Sequence, residues 1–207
     1  GSMTVSRHMS FPAALGPSVS RVAFEAGRGI FRTGATPRHI YFIEEGSVRL
    51  IRHGREGEDV VLHDARPGEF LAEASLGSAR YHCDAMATES SVLLRVPRQA
   101  LEQLLEADPS FARDWIALLA GQLRTLRARV ERLSLRSAKE RIRHLLLSEG
   151  RGPHCELEVD GSLKDLARKL GLTHESLYRT MAAMQREGLI ERHGLRLSLT
   201  HHQPPTV

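Results

Sequence analysis

The sequence predicts an α+β chain in two parts: an N-terminal antiparallel β-roll of jelly-roll type, then a long helix leading into a small helical unit closed by a hairpin. Three observations predict it. Short alternating apolar runs broken by glycine and proline fill residues 22–96, and many short strands at close turn spacing argue for a small roll or barrel. Apolar residues then recur at spacings of three and four from Phe111 to Leu133, which is helical periodicity. Finally, two short amphipathic segments meet at Gly171 and are followed by a third apolar alternation around Gly194.

The chain has 207 residues, of which 41% are hydrophobic and 26% charged, so it can bury two modest cores and is not dominated by disorder. Gly1-Ser2-Met3 reads as a remnant of expression cloning, and residues 1–20 are set aside as tag and flexible N-terminus. Residues 21–108 form the roll. Its clearest strands are Ile40-Tyr41-Phe42-Ile43, Ser47-Val48-Arg49-Leu50-Ile51, Val60-Val61-Leu62 and Ser91-Val92-Leu93-Leu94-Arg95-Val96. The segment 53–59 carries Gly54 and Gly57, which supply the backbone freedom a hairpin needs. Glu44-Glu45-Gly46 and Arg66-Pro67-Gly68-Glu69 mark further turns.

Asp108-Pro109 reads as a helix N-cap followed by proline at the first helical position, where its missing N–H costs nothing. The helix it opens spans 109–135. Trp115, Leu118, Leu119, Gln122, Leu126 and Leu133, with Phe111 ahead of them, form one stripe, while Arg124, Arg127, Arg129 and Arg132 lie on other faces. A seam of this length finds its simplest partner in a second copy of itself, so those six residues are the predicted interface of a parallel homodimer. The first turns also pack on the chain's own roll.

Residues 136–207 form the last unit. Ser137 and Glu140 make a capping box for a helix running to Leu147, and Glu156-Leu157-Glu158-Val159 reads as a short strand. Leu163, Leu166, Ala167 and Leu170 face inward on a first short helix; Thr173 caps a second, whose inward positions are Leu177, Met181 and Met184. Two short helices joined by a tight glycine turn form a helix-turn-helix, whose second helix can lie in the DNA major groove. Thr173, His174, Glu175, Ser176, Tyr178 and Arg179 are the predicted DNA-binding residues. Arg179 can offer two donors to guanine, Glu175 can accept from cytosine N4, and His174 can donate or accept at a base or phosphate. Thr173 and Ser176 sit in the first turn, which suits a phosphate. Leu189 to Leu199 reads as a two-stranded wing with Gly194 in its turn.

A formal charge of +4 is compatible with an anionic partner but is too small to identify one. The two cysteines, Cys83 and Cys155, are far apart, and no apolar run is long enough to span a bilayer; a reduced, cytoplasmic location and no membrane partner are expected. No Ser-His-Asp set, phosphate loop, nucleophile elbow or cupin-like histidine cluster occurs, so no enzymatic activity is expected.

The order of roll, long helix, capped helix, helix-turn-helix and wing resembles the Crp/Fnr family of bacterial transcription regulators from about Phe24 to Leu199. The stretches that carry the resemblance are Tyr41 to Val48, Pro67-Gly68-Glu69-Phe70-Leu71-Ala72-Glu73-Ala74-Ser75-Leu76, and Leu166 to Arg179. It implies a two-fold dimer on a palindromic operator, and RNA polymerase as a further partner if the chain activates. In the family's recognition helix an Arg, a Glu and a second Arg are typical; Glu175 and Arg179 match, while His174 stands where the first Arg is often found.

The resemblance also implies an effector pocket at Glu73, Tyr81, His82 and Cys83. Members that bind cyclic nucleotides carry a phosphate cassette with a Gly and Glu early and an Arg-Ser or Arg-Thr pair later. Here Ala72 precedes Glu73, Tyr81-His82 occupies the position of the pair, and Arg80 is one residue off. Without the guanidinium's charge-assisted contact, cyclic AMP is not the expected effector. Members that sense oxygen through an iron–sulfur cluster need four cysteines, more than this chain has. Three readings stay open: a metal or haem held by His82, Cys83, Met86 or His63; a redox-sensing thiol at Cys83; and a constitutive regulator in which Cys83 is a small buried hydrophobe. In a regulated chain, the signal would pass to the DNA-binding unit through the long helix and a hinge near Leu135-Arg136.

Overall fold

A computed structural model describes residues 9–201. They divide into two compact units, with the boundary between Gln122 and Leu123.

The first unit opens with a short 3-10 turn at Ala13–Ser18, then β1 (Ser20–Phe24), β2 (Gly29–Phe31), β3 (His39–Glu45), β4 (Val48–His53), β5 (Asp59–Ala65) and β6 (Phe70–Leu71). A second 3-10 turn at Glu73–Ser75 precedes β7 (Asp84–Ala87), β8 (Ser91–Pro97), α1 (Arg98–Ala107) and α2 (Pro109–Ser134). Two four-stranded sheets result, ordered β1-β8-β3-β6 and β2-β7-β4-β5, and every strand pair is antiparallel. The predicted hairpin across 53–59 is the β4–β5 pair. Gly46 makes a different kind of turn, because β3 and β4 belong to different sheets. Its φ is +89°, and an added Cβ would overlap the Ser91 hydroxyl and the Ser90 carbonyl, so only glycine fits this corner.

Inward positions of both sheets, including Ile40, Ile43, Val48, Leu71, Ala85 and Leu93, meet in one core that also takes in Leu101 of α1 and Phe111, Trp115 and Leu118 of α2. Leu15 is buried in it as well. Residues 9–20 of the expected flexible terminus are therefore ordered against the roll, because Met9, Phe11 and Leu15 are apolar and have a surface to cover; residues 1–8 lie outside the described residues. Helix α1 falls inside the 21–108 span expected to form the roll, just beyond its last expected strand at Val96.

Asp108 caps α2 as expected, its Oδ1 accepting from the N–H groups of Ser110 at 3.0 Å and Phe111 at 3.1 Å. The predicted interface needs correction. Trp115 (3% exposed) and Leu118 (5%) belong to the roll's own core, with Trp115 edge-on to Phe70 at 5.0 Å. Gln122 is half-buried and hydrogen-bonds Glu73 of the same unit. The apolar positions left outward on α2 are Ile116 (65% exposed), Leu123, Leu126 (55%), Val130 (66%) and Leu133, with Leu119 half-buried at the edge of the roll core.

On the roll surface His53 donates from Nδ1 to Asp59 at 2.5 Å and from Nε2 to Asp84 at 2.9 Å. The other Asp84 oxygen accepts from the Thr33 N–H at 2.6 Å and hydroxyl at 2.8 Å. Hydrogen bonds to the two carboxylates, Asp59 first, hold the His53 imidazole above its ordinary pKa.

The second unit continues with α3 (Ala138–Glu149), β9 (Leu157–Glu158), α4 (Leu163–Lys169), α5 (His174–Arg186), β10 (Ile190–His193) and β11 (Arg196–Leu199). The strands form one sheet, β10-β11-β9. The Ser137–Glu140 capping box is present, and its core joins Ile142, Leu145, Leu166, Leu170, Leu177, Met181, Met184, Ile190 and Leu197. Two arginines tie the end of α2 into this unit. Arg141 donates to four backbone carbonyls: Leu135 at 2.9 Å, Leu170 at 3.1 Å, Gly171 at 3.2 Å and Leu133 at 3.3 Å. Arg132, fully buried, donates to Ser148 and to Glu149, each at 3.1 Å, and Glu149 also pairs with Lys169 at 2.6 Å. The expected hinge near Leu135-Arg136 is thus a braced joint, since one guanidinium binds carbonyls on both sides of it.

Candidate nucleic-acid interface

The helix-turn-helix is built as its residues dictate. Ser162 caps α4, its hydroxyl accepting from the Asp165 N–H while the Asp165 carboxylate accepts from the Ser162 N–H. Gly171 then turns the chain at φ +65° beside the side-chain ends of Leu133 and Arg141, a left-handed backbone conformation that favours glycine. Thr173 caps α5, accepting from the Ser176 N–H at 3.1 Å. Leu177, Met181 and Met184 are buried beneath α5, and spacings of four and three keep them on one face.

That packing decides what the other face can do. His174, Glu175, Tyr178 and Arg179 stand outward and exposed, with Thr173 exposed ahead of them and Ser176 half-buried. Glu175 and Arg179 approach only to 3.9 Å and are 88% and 73% exposed, so neither is committed to the other. The His174 ring meets Tyr178 edge-on, centroids 4.6 Å apart at 75°. Beyond α5, β10 and β11 form the predicted wing, paired from Ile190 with Leu199 to His193 with Arg196, and Gly194 turns it at φ +62°. Arg192 of β10 places its guanidinium carbon 5.5 Å from the Tyr178 ring centroid. Sequence reasoning missed Arg192; its signal was the strand alternation that puts it on the same side as buried Ile190. All six predicted residues therefore lie on one capped helix start.

The predicted effector residues are not brought together in the same way. Tyr81 is buried, stacked on Phe31 at 4.2 Å, and its hydroxyl donates to the His39 carbonyl at 2.9 Å. His82 faces solvent while Cys83 faces the core, both on the bend that leads into β7. Burial, with Asp84 and Glu73 nearby, pushes the Cys83 thiol up, which disfavours the thiolate that redox or metal chemistry needs. His63 is engaged by Glu69 at 2.9 Å, and Met86 lies on β7, paired with Gly29 and Arg49. No three His, Cys, Asp or Glu side chains gather as a metal site among the described residues. Burial raises the Glu73 carboxyl, with its own backbone and Gln122 hydrogen-bonding it in opposition. Ala72 just ahead takes a left-handed φ of 67°, the conformation a glycine would hold without strain. Arg80 is turned away, donating to the Gly34 carbonyl at 2.8 Å. An open groove of about 960 Å³ lies at the β1–β2 corner, lined by Phe24, Arg28, Ile30 and Arg32 among others, and none of Glu73, Tyr81, His82 or Cys83 lines it.

A β-roll leading through a long helix to a winged helix-turn-helix with an exposed polar face defines a class, the two-domain DNA-binding regulators of transcription. The model of the cyclic nucleotide-binding domain matches residues 21–108, and that of the Crp-like helix-turn-helix domain matches residues 140–204. The chain belongs to the Crp/Fnr family of transcription regulators. A cyclic AMP receptor protein of Thermus thermophilus is 29% identical over 174 residues, spanning 82% of this chain and 79% of that protein. The fumarate and nitrate reduction regulatory protein of Escherichia coli K12 is 20% identical over 185 residues, spanning 86% and 74%. The structure of FixK2 from Bradyrhizobium japonicum has a TM-score of 0.67 at 22% identity, covering 87% of this chain and 92% of that one, a likeness of fold. No helix among the described residues is long and apolar enough to cross a membrane.

Proposed function

We propose that two copies of the chain, joined along α2, read a palindromic DNA site with the α5 helices in successive major grooves. The observation that carries this is the face of α5: four polar side chains stand outward at its capped start while the opposite face is buried. In this reading Arg179 makes a bidentate contact to guanine, Glu175 accepts from cytosine N4, and His174 meets a neighbouring base or phosphate. Thr173 and Ser176 hold the phosphate that sets the register.

The dimer follows from α2. Ile116, Leu119, Leu123, Leu126, Val130 and Leu133 alternate steps of three and four, the seam of a coiled coil. β-branched residues at two of three a positions with leucine at every d position favour a parallel pair. RNA polymerase is a further partner if the bound dimer activates.

Cyclic AMP is not the effector in this proposal. The Phe31–Tyr81 stack fills the place of the phosphate-holding pair, and Arg80 is spent on a backbone carbonyl. The same filled interior favours the constitutive reading, in which the roll is a scaffold for α2. Selection of bound oligonucleotides from a random pool, with and without cyclic nucleotides, oxidant or added metals, tests both halves. One palindrome enriched equally under all conditions is expected. No enrichment would refute the DNA reading, and enrichment only with cyclic AMP would refute the account of the roll.

A further inference from the structure

The wing carries an arginine whose guanidinium is turned inward. On β10 the alternation puts Ile190 and Arg192 on one side of the strand; Ile190 is buried in the core, and Arg192 pairs across the hairpin with buried Leu197. Arg192 is therefore directed back toward α5. Its guanidinium carbon lies 5.5 Å from the centre of the Tyr178 ring, and its Nε donates to the Gly194 carbonyl at 2.9 Å. Cation–π attraction and the backbone bond together fix the guanidinium in one place. The far edge of the same arrangement is His174, whose ring meets Tyr178 at 4.6 Å and 75°, one helical turn away.

We propose that Arg192 is a positioning residue for base reading: through Tyr178 it holds the His174 imidazole in the pose from which it meets the DNA. The inference rests on the reading of α5 as the DNA-contacting helix. An exposed histidine at a helix start is free to sample several rotamers, and each must be frozen on binding. A neighbouring ring removes that freedom only if it is itself held, and Tyr178, exposed on the outer face, has Arg192 to hold it. Base preference at the position His174 faces thus depends on a residue outside the recognition helix.

The test is a panel of operators substituted at each base pair, bound by the full-length parent and by the variants Arg192→Ala, Tyr178→Ala, Tyr178→Phe and His174→Ala, each checked for folding by thermal melting. Arg192→Ala and Tyr178→Ala are expected to lower discrimination at the base pair faced by His174 roughly ten-fold, as His174→Ala does. Tyr178→Phe keeps the ring and should keep the preference. Arg192→Ala added to His174→Ala should lower it no further, and the salt dependence of binding should match the parent. The inference is overturned if Arg192→Ala weakens all operators alike with a salt slope shallower by about one, the mark of a phosphate contact. Fully additive losses with His174→Ala would overturn it as well. A parent that prefers no sequence would sink the DNA reading itself, and this inference with it.

Discussion

Arg179 and His53 show how differently two charged side chains serve one chain. Arg179 is exposed and held only loosely by Glu175 at 3.9 Å, the condition of a group kept for a partner. Replacing it with Ala should cost about 1–3 kcal/mol of specific binding and relax preference at one base pair; titration of the selected operator and its point variants reads both, and an unchanged preference would refute the assignment. His53 is also exposed, yet both ring nitrogens are engaged by Asp59 and Asp84. Its pKa is raised in the folded state above the ordinary 6.5, so the stabilisation it contributes is fully present below that value. It is lost as pH rises through the higher folded value. The melting temperature of the parent should therefore fall relative to His53→Gln as pH climbs above about 6.5. Parallel melting curves at all pH values would show that the clasp adds nothing. Asp84 is lowered, chiefly by the Thr33 N–H, so its share runs the other way and is lost in acid.

Helix α2 serves two masters along its length, and mutations should sort accordingly. Trp115 is buried in the roll core, so Trp115→Ala should cost about 3–5 kcal/mol of folding stability, read by chemical denaturation. Leu126 is outward, so Leu126→Glu should leave each chain folded and yield monomers in light scattering; a persisting dimer would place the interface elsewhere. At the helix end Arg141→Ala should destabilise the second unit by about 2–3 kcal/mol, because four carbonyls lose a charged donor. The elements legible in the sequence were those with a local chemical signature: the Asp108 and Ser137 caps, the Gly171 turn, the wing around Gly194. Helix α1 and the two-residue strand β6 have no such signature and depend on what packs over them. The α2 stripe was legible as a helix but not by face, since Trp115 and Leu118 lie on a separate stripe from Ile116, Leu123 and Val130. Only the roll's presence decides which stripe is covered.

At the scale of the whole molecule, the face proposed to contact DNA was readable because its residues run without a break from the Thr173 cap to Arg179 on one helix, where spacing alone determines which side chains share a face. The residues expected to form an effector pocket were not, because a roll brings together positions from distant strands and the direction of each depends on register. Tyr81 and Cys83 turned inward and His82 outward, so a set of neighbours in sequence did not become a set in space. The central claim is that one α2 seam fixes two α5 helices at a set separation. In direct measurement, the selected operator is compared with a version carrying about 5 bp inserted between its half-sites, half a helical turn. The insertion should weaken binding of the dimer by at least ten-fold, because the second helix then faces the wrong side of the duplex. Equal affinity for both operators would mean that each half-site is read independently, and the coupled dimer would have to be abandoned.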